Sequence, residues 1–318
     1  MNRITTPLLL MLLIQGVITA AVYWPRQPTV LADAVDGSLL SLEPAAITRI
    51  HIADDSGSEA LLQRVDDGWR LPGLMNLPAD PGQVQRLLQA LTQQQAGFPV
   101  ATSVAARQRF EVTSYLFQRQ LTLLQDDTAV ATVYLGTAPG YRKVHAREAS
   151  ENAIYRLDFN NFDAPAESSG WLDRRLLQIP APRAITGPGF SLRRSGDDNW
   201  KSATGARPEA RELEALLVSL RNLQVEGLAG EDEQRSLAAS GPVFELDVVT
   251  DEEELKLAFF TLEQDYYLHD SRHELFFAIS GYDFDRLNSL DAARLQGGSE
   301  MQPAPGHNGT TPEQDEKR

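Results

Sequence analysis

The chain has no cysteine at all. That excludes a disulfide scaffold, a thiolate zinc site, an iron–sulfur cluster and a cysteine nucleophile. Positive charge is scarce: 29 Lys and Arg stand against 44 Asp and Glu, a formal net charge of −15. Phosphate neutralisation needs the opposite balance, so no nucleic-acid partner is expected. Long apolar runs are absent except for one at the N-terminus, which rules out a many-helix transporter. What remains is ordinary: 42% hydrophobic and 23% charged residues over 318 positions. Such a chain can fill one large core or about two domains and is not globally disordered.

The one apolar run covers residues 7–24, PLLLMLLIQGVITAAVYW, without a formal charge. As a helix it spans roughly 27 Å, close to the hydrocarbon thickness of a bilayer. Arg3 and the terminal amine precede it, Tyr23 and Trp24 end it as interfacial anchors, and Asp33 and Asp36 lie beyond. The positive-inside bias then keeps residues 1–6 cytoplasmic and sends the remainder across the inner membrane to the periplasm. The small residues Thr19, Ala20 and Ala21 leave a cleaved secretory signal as the alternative. Both readings export the rest of the chain.

Beyond a 25–45 linker, the sequence repeats itself at long period. Leu62-Gln63-Arg64 leads through Asp66-Asp67-Gly68 to Trp69; Leu192-Arg193-Arg194 leads through Gly196-Asp197-Asp198-Asn199 to Trp200. Each reads as strand, polar turn and strand. A helix follows in both copies, because Val84, Leu87, Leu88 and Leu91 share the i, i+3, i+4, i+7 spacing of Leu213, Leu216, Leu217 and Leu220. Asp80 is the expected N-cap of the first, with Pro81 at its first position; Glu209 takes the place of Asp80 in the second. Four β-prone runs come next in each copy, at 119–124, 129–135, 142–146 and 153–157, then at 243–250, 255–261, 266–269 and 275–279. The closing segments align Phe162-Asp163 with Phe284-Asp285. The expected fold is therefore α+β: two tandem repeats of an antiparallel sheet with an amphipathic helix on one face, preceded by one transmembrane helix. Prolines at 180 and 182 place the division at 179–182, giving lobes at 46–178 and 179–296 and a disordered tail at 297–318.

The N-terminal membrane segment, Ile47-x-x-Ile50-x-Ile52, Leu62-x-Arg64 to Gly68-Trp69-Arg70-Leu71, Pro78-Ala79-Asp80 and the helix from Val84 to Leu91 together resemble the bacterial domain-of-unknown-function family four-three-four-zero. The likeness spans most of 40–290. The second copy departs from it in lacking the Pro-Ala-Asp element and in a short opening strand around Ala184. Members are envelope proteins often encoded beside gliding-motility-type ABC-transporter components, which implies an accessory role in such a system. The family has no established catalytic residue to carry over.

Chemistry-bearing motifs are sparse. His269-Asp270-Ser271-Arg272-His273-Glu274 gathers two histidines and two carboxylates, but in a hairpin context with an opposing arginine it reads as a solvated turn. His145 is expected at the equivalent strand end of the first copy. The acidic runs 231–233 and 251–254 read as solvated loops before they read as calcium ligands. There is no nucleophile elbow, P-loop or dinucleotide fingerprint, so no catalytic, metal or cofactor site is expected. The candidate partner surface is aromatic. Phe259-Phe260, Tyr266-Tyr267 and Phe276-Phe277 are adjacent pairs on strands, and neighbours on a strand face opposite sides. One face covers the lobe's own helix, leaving the other to be covered by the first lobe, a protein partner or a ligand. The function expected is a non-catalytic, membrane-anchored accessory subunit of an ABC-type transport or envelope-assembly complex, with an ABC permease or related envelope protein as partner. The alternative is a module that captures a saccharide or peptide between its lobes.

Overall fold

A computed structural model describes Gln15 and residues 35–196 and 199–297. The expected membrane segment, apart from Gln15, and all but the first residue of the expected tail lie outside the described residues. Among the described residues no helix is long and apolar enough to cross a membrane. The chain forms two compact units, Met1–Trp171 and Leu172–Arg318. The division falls ahead of the two prolines because Trp171 belongs to the first unit: it is fully buried, its Nε1 donates to Pro165 O at 2.8 Å and its carbonyl accepts from Asp80 N at 2.7 Å.

The first unit runs β1 (Val35–Ser38), β2 (Arg49–Ala53), β3 (Glu59–Val65), β4 (Gly68–Leu71), β5 (Leu77–Pro78), α1 (Pro81–Thr92), β6 (Gln95–Gly97), α2 (Val104–Arg109), β7 (Val112–Thr113), β8 (Leu116–Phe117), β9 (Arg119–Gln125), β10 (Thr128–Leu135), β11 (Val144–Glu148) and β12 (Tyr155–Leu157). The second runs β13 (Ala184–Gly187), β14 (Phe190–Arg194), β15 (Trp200–Ser202), α3 (Ala210–Asn222), β16 (Val225–Leu228), α4 (Glu231–Ala239), β17 (Phe244–Val249), β18 (Glu254–Leu262), β19 (Asp265–Asp270), β20 (Leu275–Ile279), α5 (Gly281–Asn288) and α6 (Ala292–Leu295). Each unit holds an eight-stranded antiparallel sheet, ordered β12-β11-β10-β9-β2-β3-β4-β5 and β16-β20-β19-β18-β17-β13-β14-β15.

The registers establish the duplication residue by residue. Ile50 pairs with Leu62 on one side and Leu123 on the other; Ile185 pairs with Leu192 and Val248. One strand further, Leu123 meets Ala131 and Val248 meets Leu255. Leu135 then meets Ala146, which meets Tyr155, while Phe259 meets Leu268, which meets Phe277. At the other end Arg64 faces Trp69 and Arg194 faces Trp200. Seven strands thus share one order and one register, with β5 added to one sheet and β16 to the opposite end of the other. The same register corrects one alignment: His269 faces Ala258 as Arg147 faces Tyr134, so the counterpart of His269 is Arg147, and His145 corresponds to Tyr267.

Period-2 alternation sends Ile50, Ile52, Leu62, Leu121, Leu123, Val133 and Leu135 to one face, all fully buried. The stripe of α1 is buried with them, and α1 packs on β4. Asp80 caps this helix as expected, accepting from Gln83 N at 3.0 Å. Glu209 occupies the cap position of α3 but makes no cap bond; its carboxylate lies 3.6 Å from Arg294 instead.

The helices are not confined to one face. In the second unit α4 lies on the opposite side of the sheet, where Ala229 and Leu237 join Ala258, Phe260, Tyr267 and Phe276 in one buried cluster. In the first unit the segment around α2 does the same with Val112, Phe110 and Phe117 against Tyr134 and Ile154. The second lobe is a helix–sheet–helix sandwich, and the first covers its second face with the α2–β8 segment, whose six-residue helix buries no residue; both covers escape the sequence pattern because their helices are short. The acidic run 231–233 is the first turn of α4 rather than a loop: Glu233 accepts from Gly230 N at 2.8 Å, satisfying a donor at the helix start.

Candidate functional site

The aromatic pairs do not form a free surface. Phe259 and Phe277 are fully buried, and Phe259 stacks on Phe244 at 4.3 Å. Tyr266, half-buried, meets the Phe284 ring of α5 at 4.6 Å. On the other face Phe260, Tyr267 and Phe276 are buried within the cluster that includes Leu237 of α4. Burial, with Glu233 beside it, pushes the Tyr267 hydroxyl up to about 12. The lobe's own second helix therefore supplies the cover that the strand pattern demanded.

The His269–Glu274 hairpin is a solvated turn only in part: Ser271 and Glu274 are exposed, and Asp270 is not. Its two histidine rings meet aromatic rings of opposite sheet faces, His269 tilted against Phe276 and His273 edge-on to Phe277. Asp270 between them is fully buried. Its carboxylate accepts from Arg272 N at 2.8 Å and Arg272 Nε at 2.8 Å, and His273 Nδ1 lies 3.4 Å away. Burial alone would raise its pKa, but the bonds from His273 and Arg272 outweigh it and the net direction is downward. The group is a staple for the hairpin. Among the described residues no three His, Asp or Glu side chains converge as a metal set. At the counterpart of His269, Arg147 is buried and donates to the carbonyls of Val112, Glu148, Ala149 and Glu151, tying the α2 segment to the end of β11.

The clearest difference between the two lobes is in the segment after the last shared strand. In the second unit α5 follows β20, packs against α3, and buries Phe284 among Phe244, Phe259 and Tyr266. The aligned segment of the first unit is a single 3-10 turn, Asn161–Asp163, and its Phe162 is 85% exposed where Phe284 is 4% exposed. A cleft of about 390 Å³ is left between α1 and this turn, lined by Arg86, Gln89, Ala90, Gln93, Gln94, Arg142, Asp158, Phe159 and Asp163. Its lining has diverged accordingly: Arg86, Gln89 and Gln94 align with Ala215, Val218 and Leu223 of the α3 segment.

The cleft is built on a rigid frame. Asn161 Nδ2 donates to Gln118 Oε1 at 2.7 Å and to Gly136 O at 2.8 Å; Arg119 Nε donates to Ala164 O at 2.8 Å. Gln94 Oε1 accepts from Asp158 N at 3.2 Å, and Gln83 Nε2 donates to Asp163 O at 3.3 Å. Lys143 bonds the Asp158 carboxylate and holds its pKa below the usual carboxylate range. Arg86 and Arg142 have no carboxylate partner among the described residues, and Tyr141, beside Arg142, is 89% exposed. Two guanidinium groups and three carboxamides, beside the carboxylates of Asp158 and Asp163, suit the recognition of a polar surface. A second cleft, of about 270 Å³ beside Ile179 and Asp251, has its Arg272 already committed to Asp270 and Glu253. Trp69, Trp171 and Trp200 are core residues, at 8%, 0% and 5% exposure, and line neither cleft.

Two lobes of one strand order and register, with a cleft in one where the other has its closing helix, define a two-lobed α+β protein. The family model described as a domain of unknown function (DUF4340) matches residues 69–242, more than half of the chain, and the chain belongs to that family. The match starts in β4 and stops just before β17, so it joins parts of both lobes. No curated protein and no solved structure matches the chain.

Proposed function

We propose that the protein is a membrane-tethered, non-catalytic extracytoplasmic accessory subunit of an ABC-type transport or envelope-assembly complex, and that it acts by binding through the first-lobe cleft. The apolar, uncharged run at 7–24 supports tethering and export. The single observation that supports a binding role is the open, polar slot between α1 and the Asn161–Asp163 turn, whose lining residues Arg142 and Asp163 are next in sequence to exposed Tyr141 and Phe162. Aromatic and arginine side chains are the usual anchors of protein interfaces.

Isolation of the full chain from membranes in mild detergent, followed by identification of co-eluting proteins, tests this. An ABC permease is expected to co-elute with the wild type and to be lost from the Tyr141→Ala/Phe162→Ala variant, whose replaced rings are exposed and not needed for folding. Isolation from membranes without any permease or envelope protein would overturn the reading. The two exposed rings beside polar planar side chains also favour the second reading, capture of a saccharide or peptide. In this form the ligand sits in the first-lobe cleft and not between the lobes, and no permease is expected to co-elute.

A further inference from the structure

We infer that the first-lobe cleft receives an acidic amphipathic helix from a partner polypeptide, in the slot that α5 occupies within the second lobe. The inference rests on the proposed binding role and names the occupant. Two independent observations carry it.

The first is shape. The strand registers map Leu157 onto Ile279, so the segment that follows each leaves the sheet from the same position. In the second lobe that place holds the eight residues Gly281–Asn288 as a helix packed on α3, with Phe284 and Leu287 buried beneath it. In the first lobe the sheet and α1 persist, and the aligned residues form the Asn161–Asp163 turn, with Phe162 exposed while Phe159 and Ala164 stay buried. The cleft of about 390 Å³ between α1 and this turn therefore lies where the lobe of the same register packs a helix against its own long helix.

The second is charge. On a chain of net charge −15 this slot presents two guanidinium groups, Arg86 and Arg142, unpaired among the described residues, against one lining carboxylate, Asp163, since the Asp158 carboxylate is already neutralised by Lys143. The helix that fills the twin slot carries Asp283 and Asp285. A carboxylate-bearing helix therefore meets guanidinium groups that fork to carboxylates, and an apolar residue on the same face meets Phe159 and Ala90 on the floor.

A fluorescein-labelled peptide of residues 280–295, titrated into the detergent-solubilised full chain and followed by anisotropy, tests the inference. Saturable binding is expected, weakened about tenfold in Arg86→Glu/Arg142→Glu and also weakened in a peptide with Asp283→Asn and Asp285→Asn. Both arginines are exposed, so the variant keeps its fold, and since both lie in the first lobe, exchange of the peptide with α5 in the second lobe would leave the affinity unchanged. No saturation up to about 1 mM, or equal affinity for wild type and the double variant, would overturn the inference. Permease co-elution that persists while the peptide fails would sink this occupant alone; peptide binding without co-elution would sink the accessory role and leave the occupant standing.

Discussion

Replacing Asp270 with Ala is expected to destabilise the second lobe by about 3–5 kcal/mol, the range found when one member of a buried ion pair is removed. The carboxylate is fully buried and accepts from both the backbone and the guanidinium of Arg272, so its loss leaves that cation without its main partner in a half-buried site. Arg272 keeps Glu253 at 3.7 Å, which sets the lower end of the range. The pH dependence has a definite sign. Because the folded pKa is depressed, the stabilisation is present above the ordinary carboxylate range and is lost as pH falls through the folded value. Urea titrations should therefore show the wild-type advantage over Asp270→Asn intact at neutral pH and shrinking below about pH 4. An advantage that grew in acid would mean that Asp270 is protonated in the fold.

Gly136→Ala is expected to cost the first lobe about 3 kcal/mol or more, at or above the usual upper end for overpacking. A Cβ at this position would lie 1.9 Å from Phe110 O and 2.6 Å from Glu111 O, both backbone atoms that no rotamer change can move. The whole segment from α2 to β7 would have to lift, taking with it the Val112 carbonyl that accepts from Arg147. Hydrogen exchange resolved by lobe should show lost protection in 101–157 with the second lobe unchanged. The comparison within the chain explains the specificity: the counterpart of Gly136 is Phe260, whose ring fills the space under α4. One lobe covers that face with backbone at close range and the other with a helix above an aromatic layer.

The duplication was readable in the sequence because its signals are periodic and long: two leucine stripes, two tryptophans after polar turns, four β-prone runs in each copy. The strands observed at Leu275–Ile279 and Arg119–Gln125 differ from expectation by at most a residue. Alternation also required aromatics on both faces of the second sheet, as found. The cover was missed because α4 has nine residues, is polar, and buries only Leu237, too little for a 3.6-residue period to emerge. The buried carboxylate was missed because Asp270 sits among charged neighbours in a turn, and burial there follows from tertiary packing. The cleft did leave a trace, in the replacement of Ala215, Val218 and Leu223 by Arg86, Gln89 and Gln94 at aligned positions. Its meaning depends on α5, and Phe162-Asp163 and Phe284-Asp285 look alike in sequence although one is an exposed turn and the other the middle of a helix.

A chain without cysteine permits a direct measurement of the slot. Single-cysteine variants Phe162→Cys and Phe284→Cys, exposed to a maleimide in the native state and again in denaturant, report the two aligned positions against no background. The account predicts that Cys at 162 reacts as fast native as denatured, whereas Cys at 284 is protected until the second lobe unfolds. Equal protection of both would mean that the first lobe closes its slot with its own chain, contradicting an open site there.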